Sequence, residues 1–119
     1  MRVGLVGCVK SKRSWAAPAR ELYRSPLFRG RLAWVERSCD RWFVLSAKHG
    51  LVEPDQVLDP YDLTLADLSR ASRRTWSSQV VRALEQALGD LSGVAMELHA
   101  GMTYSTAALW LGSANEGWC

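Results

Sequence analysis

The sequence predicts an α/β domain of three layers: a small, mostly parallel sheet of at least three strands, flanked by helices. Three observations carry this. First, three short apolar runs recur along the 119 residues, and each breaks into a small or polar loop. They are Val3-Gly4-Leu5-Val6-Gly7, Trp42-Phe43-Val44-Leu45 and Val94-Ala95-Met96-Glu97-Leu98. Second, helical patterns separate the runs, and parallel strands need such crossovers. Third, the length suits one domain over residues 1–119, which buries roughly two thirds of its unfolded surface. In open α/β sheets ligands bind beyond the carboxyl ends of the strands. The loops that follow the three runs therefore mark the expected site.

Residues 2–7 read as a buried strand, apolar on both faces, with glycines that admit close neighbours. Residues 8–18 read as a loop. Pro18 suits a helix start, because the N–H it lacks is not needed there, and 19–24 follow as a short helical piece. Ser25-Pro26 is a second start signal, with Ser as N-cap and Pro in the first turn. That helix runs to about Cys39 and turns Leu27, Phe28, Leu32 and Val35 toward the sheet.

Residues 42–46 form the second strand. Residues 47–64 form a long polar connection, of a length that in compact domains is often functional. An edge strand drawn from 51–60, or a homodimer, would complete a sheet this small. Thr64 and Asp67 have the spacing of a capping box. Ser72 or Thr75 caps the next helix, which ends near Leu88 at Gly89 and buries Trp76, Val80, Leu84, Ala87 and Leu88. Residues 94–99 form the third strand and 103–111 a last helix.

Composition narrows the class. No run approaches the ~20 apolar residues of a membrane span, so no membrane partner is expected, and the reading is cytoplasmic. Cys8, Cys39 and Cys119 form no disulfide framework. No Cys or His pair has zinc-ligand spacing, and neither metal nor cofactor is expected. The net charge of +3 is uneven: residues 1–41 carry +7 and residues 42–119 carry −4. This points mildly to a nucleotide or nucleic acid as partner. A solvated arginine face explains it as well, because the arginines are scattered along helical stretches.

Four loop constellations carry chemistry. Cys8, Ser11, Lys10 and Lys12 follow the first strand, where backbone N–H groups cradle phosphate and lysine supplies counter-charge. No complete phosphate-loop or dinucleotide fingerprint is present. Ser46-Ala47-Lys48-His49-Gly50 places a hydroxyl, an ammonium and an imidazole at the second strand end, and histidine moves protons near neutral pH. In Asp59-Pro60-Tyr61-Asp62 the proline stiffens a turn that fixes a stacking ring beside a carboxylate, which suits a nucleoside. His99-Ala100-Gly101-Met102-Thr103-Tyr104 adds a glycine for close approach and a second ring. Each has a plainer alternative: a core cysteine, a serine turn cap, an Asx turn, a structural histidine.

Taken together, these residues resemble an uncharacterised bacterial and phage family of small α/β domains. Its pattern is a Cys-x-x-x-Lys loop, Leu-Tyr-x-Ser-x-Leu-Phe, Leu-Ser-Ala-x-His-Gly-Leu, Pro-Tyr-Asp-x-Thr-Leu and a late Gly-x-x-Tyr. Here these read Cys8 to Lys12, Leu22 to Phe28, Leu45 to Leu51, Pro60 to Leu65 and Gly101 to Tyr104. The pattern is distantly similar to the uracil-DNA-glycosylase-like domain of archaeosine-type tRNA-modifying enzymes, although the glycosylase motifs themselves are not evident. The resemblance implies a chain shortened at its C-terminal end.

The expected function is a nucleotide- or nucleic-acid-directed hydrolase of N-glycosidase or base-processing type. Asp62, His49 and Ser46 would be catalytic. Lys10, Lys12, Tyr61, Gly101, Tyr104 and Cys8 would bind substrate. Two alternatives stand beside it: a non-catalytic nucleic-acid-binding module, and an enzyme that depends on Cys8.

Overall fold

Strand β1 (Arg2–Gly7) runs through the middle of the domain, with Val3 to Gly7 all buried. The computed structural model describes residues 1–9 and 12–100. In chain order, β1 is followed by β2 (Ala17–Pro18), α1 (Ala19–Leu22), α2 (Pro26–Ser38), β3 (Arg41–Ser46), β4 (Gly50–Val52) and β5 (Val57–Leu58). A 3-10 turn (Leu65–Asp67), α3 (Arg70–Leu88) and β6 (Ala95–His99) complete the described part.

The main sheet has four strands in the order β4-β3-β1-β6. β1 pairs parallel with β3 and with β6, so Leu5 faces Phe43 on one side and Leu98 on the other. The three parallel strands match the three apolar runs. β4 joins antiparallel at the edge, with Ser46 opposite Gly50. The long 47–64 connection thus does supply an edge strand, through a hairpin that needs the positive φ of Gly50 (73°).

Successive strand residues alternate between faces, and two core clusters follow that alternation. Val3, Leu5, Phe43 and Leu45 pack with Trp76, Val80 and Leu84 of α3. Val6 and Val44 pack with Phe28 and Val35 of α2 and with Leu22 and Tyr23. Gly4 lets α2 approach closely: a Cβ there would lie 2.6 Å from Val35 Cγ1.

The helix signals are largely confirmed. Ser25 Oγ accepts the Phe28 N–H at 3.0 Å, and Pro26 opens α2. Asp67 accepts the Thr64 N–H at 2.9 Å, although the element it starts is a single 3-10 turn. Gly89 ends α3 with φ 80°. Three expectations are corrected. The cap of α3 is Ser69, whose Oγ accepts the Ser72 N–H at 3.1 Å, and neither Ser72 nor Thr75 has that role. Leu27 is 59% exposed, because Phe28, Leu32 and Val35 define the inward stripe one residue round the helix. Ala87 is exposed as well. The expected helix over 103–111 lies outside the described residues.

A small second sheet positions the site. β2 and β5 pair antiparallel through Ala17–Leu58 and Pro18–Val57. The Ala19 N–H donates to the Gln56 carbonyl at 2.9 Å and the Arg20 N–H to the Pro54 carbonyl at 3.0 Å. Arg20 also pairs with Asp55. The chain after β5 therefore starts from a fixed point beside α1. Among the described residues no helix is long and apolar enough to cross a membrane.

Candidate functional site

Three segments far apart in sequence meet beyond the carboxyl ends of β1 and β3. Lys12 bridges antiparallel to Tyr23, and the Arg13 N–H donates to the Leu22 carbonyl at 2.8 Å. The loop after β1 is thereby tied to the residue that follows α1. The Cys8 N–H donates to the Leu45 carbonyl at 2.9 Å, which holds the two strand ends together. The loop after β5 then brings Tyr61 onto this junction.

The hydroxyl of Ser46 is the node. Ser46 is fully buried at the end of β3. Its Oγ donates to the Tyr61 hydroxyl at 2.7 Å and accepts the His49 N–H at 3.1 Å. The Tyr61 and Tyr23 hydroxyls are 2.6 Å apart. From the other core cluster, Trp76 Nε1 donates to the Ser46 carbonyl at 2.9 Å. One residue thus fixes the His49 turn and the Tyr61 ring, and is itself fixed by α3.

Around this node stand the ionisable groups. Lys12 Nζ lies 4.5 Å from the Tyr61 ring centroid and 5.5 Å from that of Tyr23, and donates to the Val9 carbonyl at 3.0 Å. An ammonium over an aromatic face is held by the ring quadrupole. The His49 and Tyr61 rings meet at 85° with centroids 5.4 Å apart, forming a right-angled corner. His49 and Asp62 are both exposed.

Burial sets the proton chemistry. It pushes the Tyr61 hydroxyl far above the usual phenol range, and nearby Cys8 and Tyr23 add to this. Burial likewise raises Tyr23. Both phenols stay protonated and serve as hydrogen-bonding groups, never as bases. Burial also lowers the Lys12 ammonium, opposed by Cys8 and Asp62. His49 is lowered by burial first and then by the adjacent Lys48 charge, so it is neutral near pH 7.

The structure brings together Cys8, Lys12, Ser46, His49 and Tyr61, with Asp62 adjoining. Lys10, Gly101 and Tyr104 lie outside the described residues. His99 joins a different group: its Nε2 is 3.1 Å from Glu97 Oε1, which also accepts from Trp34 Nε1 at 3.1 Å, while Glu97 Oε2 pairs with Arg2. Sequence reasoning missed Tyr23 and Trp76 as members of the cluster. Tyr23 stood inside a recognised motif beside Ser25, which is the signal that pointed to it. Among the described residues no three His, Cys, Asp or Glu side chains gather as metal ligands do.

Fold and cluster define a small mixed α/β domain with a polar, aromatic-walled centre at the carboxyl edge of its sheet. The chain belongs to the family of unknown function DUF6884, whose model matches residues 3–117. No curated protein and no solved structure matches it.

Proposed function

We propose that this domain is a hydrolase acting on a nucleotide or nucleic acid, of N-glycosidase or base-processing type. The observation that carries the proposal is the meeting of Lys12, His49 and Tyr61 on the Ser46 node, with Asp62 beside them. A flat ring fits the right-angled corner of His49 and Tyr61, and Lys12 supplies counter-charge to a phosphate. Asp62 directs a water molecule at the anomeric carbon. The C–O bond forms as the C–N bond breaks, and the departing base keeps the electron pair. Neutral His49 takes the proton of the water and returns it to the base. Ser46 is a positioning residue in this scheme, because its hydroxyl is already engaged by Tyr61 and His49.

The alternation of strand residues between two core clusters supports a three-layer arrangement. The distant likeness to the glycosylase-like domain of tRNA-modifying enzymes is fold-level analogy, and it agrees with this chemistry without carrying it. One second reading has an observation behind it. Cys8 is half-buried and sits within electrostatic reach of Lys12, at the edge of the same cluster.

The test is release of free base from nucleosides, mononucleotides, tRNA and modified DNA. Asp62→Asn, His49→Ala and Lys12→Ala should each abolish or sharply reduce it. Wild-type rates in all three would end the proposal. Loss of activity on alkylating Cys8, with those three variants active, would favour the thiol reading.

A further inference from the structure

Beside the cluster stands a surface feature that the scheme above leaves unused. Trp15 keeps its indole 57% exposed, three residues after Lys12. The Arg13 guanidinium lies over that ring, 5.6 Å from its centroid. Arg13 is itself held, since its Nε donates to the Glu21 carbonyl at 2.8 Å and its backbone N–H to the Leu22 carbonyl at 2.8 Å. A single exposed apolar side chain is ordinary. An exposed indole set against an anchored guanidinium, on the bend that follows Lys12, is a surface to which a ligand can bind.

The chemistry of that ligand follows from the pair. The carbonyl and the ring that hold Arg13 are both neutral, and among the described residues no carboxylate pairs with its guanidinium. Arg13 covers part of the indole, and the exposure of Trp15 leaves stacking surface for another flat group. An aromatic platform beside a cation is how proteins take bases of single-stranded nucleic acid: the base stacks and the phosphate meets the charge. A membrane surface is the poorer match, because interfacial anchors are amphipathic helices and the neighbouring α1 has only four residues.

Resting on the proposed function, we infer that Arg13 and Trp15 form a platform for a base of single-stranded nucleic acid, next along the strand from the nucleotide held at Tyr61. Three residues of chain span at most about 11 Å, so the platform and Lys12 engage neighbouring nucleotides of one strand. The substrate is then a polynucleotide with an unpaired stretch, and a free nucleoside is a truncated version of it.

The experiment compares wild type, Trp15→Ala, Trp15→Phe and Arg13→Gln. It measures anisotropy of short fluorescent DNA and RNA single strands, calorimetry with a mononucleotide and co-sedimentation with anionic phospholipid vesicles. Melting curves check folding, which an exposed Trp15 should not disturb. The expected result for Trp15→Ala is oligonucleotide binding weaker by about tenfold or more, with mononucleotide binding unchanged. Trp15→Phe should retain most of the affinity. Arg13→Gln should reduce the salt slope by about one. Wild-type oligonucleotide affinity in Trp15→Ala would overturn the platform while leaving the proposed function standing. So would mononucleotide binding without oligonucleotide binding, or a Trp15 effect confined to anionic vesicles. Trp15-dependent oligonucleotide binding with base release unaffected in Asp62→Asn and His49→Ala would instead sink the catalytic reading alone.

Discussion

Replacing Ser46 by alanine removes one hydroxyl that two neighbours share, and the structure sets the size of the loss. Ser46 is fully buried, donates to Tyr61 at 2.7 Å and accepts from the His49 N–H at 3.1 Å. Each such bond is worth about 1 kcal/mol net, so Ser46→Ala should cost about 2 kcal/mol. For a domain of this size, that corresponds to a fall in Tm of roughly 6–10 °C. Tyr61→Phe removes the same 2.7 Å bond and the 2.6 Å contact to Tyr23. It also strands the Tyr23 hydroxyl, whose residue is only 2% exposed, and should cost about 2–3 kcal/mol. The double variant loses the shared bond only once. Its cost should fall short of the sum of the singles by about 1 kcal/mol. Urea unfolding of the four proteins closes the cycle. Strict additivity, within about 0.3 kcal/mol, would mean that Ser46 and Tyr61 do not cooperate, and the node at the centre of the site would be lost with them.

Three further outcomes follow from the same contacts. If neutral His49 accepts a proton in the reaction, the rate falls as pH drops through its lowered pKa. Because the Lys48 charge helps lower it, Lys48→Ala should raise that pKa and move the acid limb of the pH–rate profile to higher pH. A limb that stays in place would refute the role. Gly4→Ala puts a methyl 2.6 Å from Val35 Cγ1, whereas at exposed Gly30 in α2 it meets nothing within 4 Å. The first should destabilise by about 1–3 kcal/mol and the second stabilise by about 0.5–1 kcal/mol, as denaturant midpoints would show. Gly50→Ala, at φ 73°, should cost about 1–2 kcal/mol. It should also loosen the β3–β4 hairpin in amide hydrogen exchange.

The sheet was legible because its central strands are covered on both sides. Such strands must be nearly continuous apolar runs, and Val3 to Gly7 and Trp42 to Leu45 are. Ser25-Pro26 and Gly89 were legible because their chemistry is local: a side-chain oxygen within reach of an N–H, and a backbone angle few other residues accept. Ser69 was not, because Ser72 and Thr75 offer the same capping oxygen three and six residues later. The β2–β5 pair was invisible for a different reason. Two residues on each side carry no periodicity, and the pairing rests on contacts such as Ala19 to Gln56 that sequence spacing does not encode. Because that pair anchors the approach to Tyr61, the meeting of Tyr61 with Tyr23 was equally hidden. Lys12, Ser46, His49 and Tyr61, which the structure brings together, were nevertheless singled out, since each stands at or beyond the end of an apolar run or beside a stiffening proline.

Burial divides the cluster into two sets of groups with different work. Ser46, Tyr23 and the carbonyl-bound Trp76 are buried, and the Tyr61 hydroxyl is engaged between Ser46 and Tyr23. Desolvation pushes both phenols upward and out of the range in which they exchange protons. These groups are well placed to fix geometry and poorly placed to react. Lys12, His49 and Asp62 reach the surface, where a substrate and water can meet them. A site built this way keeps its directional hydrogen bonds where water cannot compete for them, and a desolvated, fully satisfied network is rigid. In the proposed reaction that rigidity would keep the His49 turn in place, because its backbone N–H is held by the same hydroxyl that holds Tyr61. The polar core of the site and the stability of the domain are therefore one structure. Variants that loosen the node should lose order at His49 before they lose the sheet.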